Sequence, residues 1–119
     1  MEQGRRLGKI EVTTRAVSSI AAKAVMECYG VVGMASKTLR DGLAVLLQAS
    51  SPHRGIDVRF VDHDKIVIDL FVILEYGMRV SEVAHSIMSS VKFAVERSLE
   101  IPVVEVNVNI QGVHVSNVD

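Results

Sequence analysis

Histidine side chains are the first residues of this sequence to consider for metal binding or acid–base chemistry. A helical metal site places two histidines four residues apart, and no two of the four histidines have that spacing. The best local cluster is Asp62-His63-Asp64, to which Asp57 would add a further carboxylate. A solvated turn between two strands explains the same residues. We therefore predict no metal site.

Nucleophilic chemistry finds little support in the sequence. The single cysteine, Cys28, falls on the apolar stripe of a predicted helix, where a thiol is usually an inert core residue. No serine lies in a Gly-x-Ser-x-Gly elbow. Asp69 and Glu75 are separated along one predicted strand, without a cleft between them. We predict no catalytic residue, no cofactor and no enzymatic activity.

One short motif raises the question of nucleic-acid binding. Gly30-Val31-Val32-Gly33 has the Gly-x-x-Gly form of the KH-type clamp on RNA backbone. Its middle residues are apolar, and the net charge of -1 gives little attraction for phosphates. A helix stop followed by a packed turn explains the glycines equally well. RNA binding is therefore a minor alternative.

Length and composition indicate one globular domain. The chain has 119 residues and 13.0 kDa, with 49% hydrophobic residues. We assign 7–115 to the domain and 1–6 and 116–119 to short tails. The longest apolar run, 66–74, is far shorter than the roughly 20 residues of a membrane span. A lone cysteine fits a reducing compartment, so we expect a soluble cytoplasmic protein.

The N-terminal half predicts a short strand over 7–12 and a helix over 14–29. Thr13 or Thr14 would cap this helix and Gly30 would end it. Residues 31–35 read as either a short extended piece or a packed loop. Asp41 would cap a short helix to Gln48, and 50–55 form a loop.

The C-terminal half predicts a hairpin, a helix and a last strand. Strands 56–61 and 66–76 flank the polar turn 62–64. Ser81 would cap the second helix, which ends before Pro102. Its apolar stripe comprises Val80, Val83, Ala84, Ile87, Val91, Ala94, Val95 and Leu99. In the last strand, 103–115, the residues predicted to face the core are Val104, Val106, Val108 and Ile110.

The predicted order is strand-helix-short helix-strand-strand-helix-strand. Apolar stripes of this size must be buried against each other. We therefore predict an α+β fold, with a single small sheet of about four strands and two long helices packed on one face.

The outward face of the last two strands combines apolar, amide and carboxylate side chains. Such a mixed face is typical of protein contacts. Alternatively, another layer of the same chain covers it. We predict an interaction surface made of Val67, Asp69, Phe71, Ile73, Asn107, Asn109 and Gln111. Self-association through this face or through a strand edge is a second prediction.

Five segments, taken in order, resemble the alkaline shock protein family of Gram-positive bacteria, also called the envelope stress response family. The likeness is to its short YloU-like branch and covers 7–115. One departure from the family pattern is Glu100-Ile101-Pro102, where relatives often have a small residue, glycine and an apolar residue. The segments are Cys28 to Ser36, Asp41-Gly42-Leu43, Ile68-Asp69-Leu70 running to Glu75-Tyr76-Gly77, Ser81 to Ala84, and Val106 to Val113.

The resemblance implies a cytoplasmic, non-enzymatic protein of cell-envelope homeostasis. Some relatives self-associate and are held at the membrane by a membrane-anchored partner, and others are linked to lipid metabolism. The family has no known catalytic residues to transfer. We expect a homo-oligomeric scaffold or adaptor with an unidentified protein partner. The alternatives are an acyl-binding module, with the ligand between helix and sheet, and the KH-like RNA module.

Overall fold

The computed structural model describes residues 2–35, 55–62 and 64–115, of which 2–12 are described by their backbone alone. The described elements are two helices and four strands. In chain order they are α1 (Glu2–Met26), β1 (Val31–Met34), β2 (Ile56–Val61), β3 (Lys65–Glu75), α2 (Val80–Leu99) and β4 (Val103–His114).

The four strands form one mixed sheet with β3 at its centre. β4 runs parallel to β3 along almost its whole length, from Ile66 to Glu75. β2 pairs antiparallel with 65–70 of β3, and β1 pairs antiparallel with 72–74. Because β4 occupies one side of β3, β1 and β2 lie end to end on the other side. The predicted α+β class, with a single sheet of about four strands, is confirmed.

Gly55 lies where the end of β1 and the start of β2 approach each other closely. The Ala35 N–H donates to the carbonyl oxygen of Phe71 at 2.8 Å. A Cβ added at Gly55 would lie 2.7 Å from the Ala35 carbonyl oxygen and 2.9 Å from the Met34 Cβ. The close backbone approach of the two strands therefore requires a residue without a side chain at position 55.

Both helices pack on one face of the sheet and enclose the core. Alternate residues of β3, from Ile66 to Leu74, are fully buried against them. α2 lies over β4, and α1 lies over β1 and β2. Each buried aliphatic side chain contributes about 1.5–3 kcal/mol. The helical side of this core consists of Val17, Ala21, Val25, Val83, Ile87, Val91 and Val95.

The predicted first strand over 7–12 is wrong, because these residues belong to α1. Thr13 and Thr14 consequently lie inside the helix instead of capping it. The helical spacing of Leu7, Ile10, Thr14 and Val17 continues the stripe of the later turns, which explains the longer helix. The helix ends at Met26, and a turn then leads to Gly30, whose φ of 92° needs glycine.

The hairpin is confirmed, whereas the cap of α2 differs from the prediction. β2 and β3 pair in continuous register around a turn in which Asp62 has a φ of 50°. α2 begins at Val80, and its N-cap is Arg79, with no side-chain cap. Ser81 therefore lies in the first turn and is not the cap. Val80 is exposed, contrary to its predicted place on the buried stripe.

An irregularity in register changes the start of β4. Ile66 pairs with Val103, and the next residue, Val67, pairs with Glu105. Val104 is the extra residue of this bulge and is 55% exposed, so its predicted inward orientation is wrong. Val103 takes its place in the core. The predicted helix 41–48 and the loop before Gly55 lie outside the described residues.

Candidate interaction face of the sheet

The structure brings six of the seven predicted interaction residues together on the side of the sheet opposite α1 and α2. Asp69 pairs with Asn107, and Phe71 pairs with Asn109, in adjacent parallel strands. Ile73 pairs with Gly112, so Gln111 is the extra residue of a second register irregularity. Both described helices pack on the other side, and we name this surface of the described residues the helix-free face. It consists of Val67, Asp69, Phe71, Ile73, Asn107 and Asn109.

A polar network centred on Asp69 crosses three strands of the helix-free face. The Asn107 amide donates to Asp69 Oδ1 at 2.8 Å from β4. From β2, the Arg59 Nε donates to Asp69 Oδ2 at 3.3 Å, and the same guanidinium forms an ion pair with this carboxylate. The carboxylate is thus compensated on both sides, and its side chain is 18% exposed. These contacts fix the direction of the polar groups.

Arg59 is a neighbour of Asp69 that was not predicted from the sequence. It pairs directly with Val67, which places it diagonally beside Asp69 on the same face. Cross-strand diagonals are within reach of a long side chain. The signal that could have identified Arg59 is the hairpin register, because the turn fixes which residues of β2 and β3 are opposite each other.

The apolar part of the helix-free face is more enclosed than its polar part. Val67 and Ile73 are buried, at 6% and 7% exposure, and Phe71 is half-buried. A second amide belongs to the same surface, because Asn109 Nδ2 donates to the Leu70 carbonyl oxygen at 3.1 Å. The face therefore presents an aromatic ring between ordered amides and a compensated carboxylate.

The other residues considered for chemistry have structural surroundings. Cys28 packs against the core, and its Sγ donates to the Ala24 carbonyl oxygen at 3.3 Å. Gly33 lies in β1 and pairs with Ile73, so the Gly-x-x-Gly segment is a sheet strand and not the loop of a backbone clamp. In the described part of the chain, no three His, Cys, Asp or Glu side chains are placed to hold a metal ion.

The fold is similar to that of solved structures of the MamM CTD. The zinc form of its D249N variant is 16% identical, each chain is covered to 87%, and the TM-score is 0.49. The M250L variant is 19% identical, with 82% of this chain covered, 95% of that chain covered and a TM-score of 0.49.

Neither described helix combines the length and the apolar composition needed to cross a membrane.

Relatives of similar length occur in Gram-positive bacteria. The uncharacterized protein YloU of Bacillus subtilis is 37% identical over 98% of both chains. Spy1614 of Streptococcus pyogenes is 33% identical over 91% of this chain and 89% of its own. The model of the alkaline shock protein 23 family, which is described as having a cell envelope-related function, matches residues 2–115. The chain therefore belongs to the alkaline shock protein family.

Proposed function

We propose that this protein is a non-enzymatic adaptor of the cell envelope, which binds a partner protein through the helix-free face and also self-associates. The observation that carries the proposal is the composition of that face: a half-buried aromatic ring among ordered amides on a rigid sheet. Family membership supplies the cell-envelope context. Its place is the cytoplasm, and a membrane-anchored partner would hold it at the membrane.

The charge on the helix-free face favours a protein partner. The Asp69 carboxylate is compensated by Arg59 within the same chain, so the centre of the face carries little uncompensated charge, and the exposed carboxylate of Glu105 lies at its β4 margin. Depletion of charge around an apolar centre, with directional amide groups beside it, is typical of the core of a protein interface. Phe71 is the anchor in this arrangement, because aromatic residues dominate the binding energy of such surfaces.

The region between helices and sheet favours the adaptor over the acyl-binding module. An acyl chain would need a cavity lined by the inner residues of β3. Ile68, Leu70 and Val72 are instead fully buried, and they belong to one core cluster with both helices. Protein interiors of this kind are close-packed. A ligand would have to displace core side chains before it could bind.

The proposal is tested by affinity capture with a matched pair of variants. Phe71→Glu places a charge on the helix-free face, and Phe93→Glu places the same charge on the exposed side of α2, where Phe93 is 62% exposed. We expect a protein from cell lysate to be retained by the wild type and by Phe93→Glu, and to be lost from Phe71→Glu. Equal retention by both variants would contradict the assignment of the face.

A further inference from the structure

The outer edge of β4 has the features of a surface for self-association. β4 is the longest strand, at 12 residues, and in the described ranges it pairs with β3 alone. A strand with one unpaired edge presents a row of backbone donors and acceptors to other chains. The register of the sheet identifies which groups these are.

Within the regular stretch 105–110, three residues of β4 direct their backbone groups away from β3. Ile66 at the start of β3 donates its N–H to the carbonyl oxygen of Pro102, just before β4, at 3.1 Å, and Tyr76, just after β3, donates to the carbonyl oxygen of His114 at 2.9 Å. The Phe71 carbonyl, by contrast, accepts from Ala35 on the other side, so even-numbered residues of β3 are the ones that bond to β4. In a parallel ladder the residues opposite them point outward. These residues pair with Ile68, Leu70 and Val72, and they are Val106, Val108 and Ile110.

This edge lacks the features that usually prevent strands from pairing. Natural edge strands carry lysine, proline or inward charges, and none of Lys, Arg, Asp, Glu or Pro occurs between Val106 and Val113. At the beginning of the strand an outward backbone group is already bonded, because the Val103 N–H donates to Glu96 Oε2 at 2.9 Å. The register irregularities fall near the two ends and leave 105–110 regular.

We infer that the edge of β4 binds a second copy of the same strand, antiparallel, with the twofold axis at Val108. In this register Val108 is opposite Val108 of the second copy, and Val106 is opposite Ile110. Each outward N–H then meets an outward carbonyl, so the three residues satisfy all their edge groups. Moving the axis to residue 107 would place Ile110 opposite the bulge residue Val104, and moving it to residue 109 would place Val106 opposite Gly112, whose backbone groups are directed toward β3.

The side chains are complementary in the same register. On the helix-free face, Asn107 is opposite Asn109 of the second copy, and Glu105 comes opposite the uncharged bulge residue Gln111, so no like charges meet. Each asparagine uses one amide hydrogen within its own chain and keeps its oxygen and a second N–H. On the helix side, Val113, which is 49% exposed, is opposite Val103 of the second copy. The core and the helix-free face both continue across the contact.

This inference rests on the self-association proposed above. It places self-association at the β4 edge and the partner contact on the helix-free face.

The mass of the protein is measured by sedimentation velocity over a wide range of concentrations. We expect the wild type to reach twice its chain mass of 13.0 kDa. Val108→Pro removes an outward N–H without touching the β3 ladder, and we expect it to stay monomeric. A wild type that is monomeric throughout would overturn the inference, as would a folded Val108→Pro variant that still dimerises.

Two double variants test the register even if the proline variant does not fold. Asn107→Lys with Asn109→Lys places like charges opposite each other twice, whereas Asn107→Lys with Asn109→Glu places opposite charges there. We expect the first pair to dimerise more weakly than the second by about tenfold or more. With the axis at 107 or 109, two identical charges would meet at the axis in both double variants, so equal or reversed affinities would overturn the register.

Phe71→Glu separates the edge from the helix-free face. Phe71 is on the central strand, away from the β4 edge, so we expect this variant to dimerise like the wild type. Dissociation of Phe71→Glu, with no difference between the two double variants, would assign self-association to the face and remove the edge. If the wild type and every variant are monomeric, the inference about the β4 edge is overturned. The capture experiment still tests the proposed adaptor function, because it does not depend on dimerisation.

Discussion

Asn107 links β4 to the central strand β3 on the helix-free face. Its amide donates to Asp69 at 2.8 Å. We expect Asn107→Ala to lower the free energy of unfolding by about 1 kcal/mol, the net worth of one hydrogen bond. Asn107→Asp replaces the donor with a carboxylate beside Asp69, and we expect a further loss of up to about 1 kcal/mol. Urea unfolding at one low protein concentration measures both, and an aspartate variant as stable as the wild type would contradict the network.

Glu100 is a residue in an unfavourable backbone conformation. It ends α2 with φ 55° and ψ 34°, the left-handed region, and its N–H donates to the Glu96 carbonyl oxygen. A side chain there costs about 1–2 kcal/mol, which exceeds the entropy cost of glycine. We expect Glu100→Gly to raise the free energy of unfolding by about 0.5–1 kcal/mol.

Glu100→Ala is the matched control for this prediction, because alanine removes the charge and keeps the Cβ. We expect it to gain nothing in thermal unfolding. If alanine and glycine stabilise the protein equally, the side chain's charge and not its backbone conformation is responsible.

At the scale of elements, the face of α2 that carries Ile87 determines whether the helix can pack on the sheet. Ile87 is fully buried in the core cluster, whereas Ser89 on the same helix is exposed. We expect Ile87→Asp to lose the cooperative unfolding transition. The free energy needed to bury an unpaired carboxylate in the core exceeds the small free energy of unfolding of a typical native protein. We expect Ser89→Asp to melt within a few degrees of the wild type. Similar melting curves for the two variants would contradict the packing of α2.

The junction of β1 and β2 gives a second prediction about elements. Gly55→Ala would set a methyl group against two carbonyl oxygens and the Met34 side chain. We expect a loss of about 1–3 kcal/mol, the usual cost of overpacking. Chemical denaturation measures it, and a variant as stable as the wild type would show that the two strands separate easily at this point.

The sequence predicted those elements whose signals are local. The alternation of β2 and β3 around a polar turn yielded the hairpin, and the stripe from Val83 to Val95 yielded α2. The first strand was wrong because six residues with Ile10 and Val12 fit alternation and a helical turn equally well. The Val104 bulge depends on β3, which is distant in sequence, so alternation alone could not reveal it.

The candidate site was predicted in part for the same reason. Alternation in β3 and β4 predicted seven outward residues, and the observed pairing places six of them on one side of the sheet, whereas Gln111 is the extra residue of a register irregularity that alternation could not reveal. The parallel pairing of these strands, which places Asp69 beside Asn107, depends on how the chain crosses over through α2. Arg59 was missed because its contact with Asp69 is diagonal and needs the exact hairpin register.

For the whole molecule, we propose two contacts on two different parts of one sheet. In this proposal the helix-free face binds a partner, and the β4 edge binds a second copy. Pairing at the edge joins two helix-free faces into one continuous surface, so a partner would meet two copies of Phe71. Such a bivalent arrangement strengthens binding without new contacts. It also explains why an adaptor of 119 residues would self-associate.

We propose above all that the helix-free face is covered by a partner where the protein works. Hydroxyl-radical footprinting compares Phe71 on that face with Phe93 on the opposite side of the molecule, both in the purified protein and in the cells that express it. We expect slower oxidation of Phe71 in cells and an unchanged rate for Phe93. An unchanged rate for Phe71, together with protection of Phe93, would contradict it.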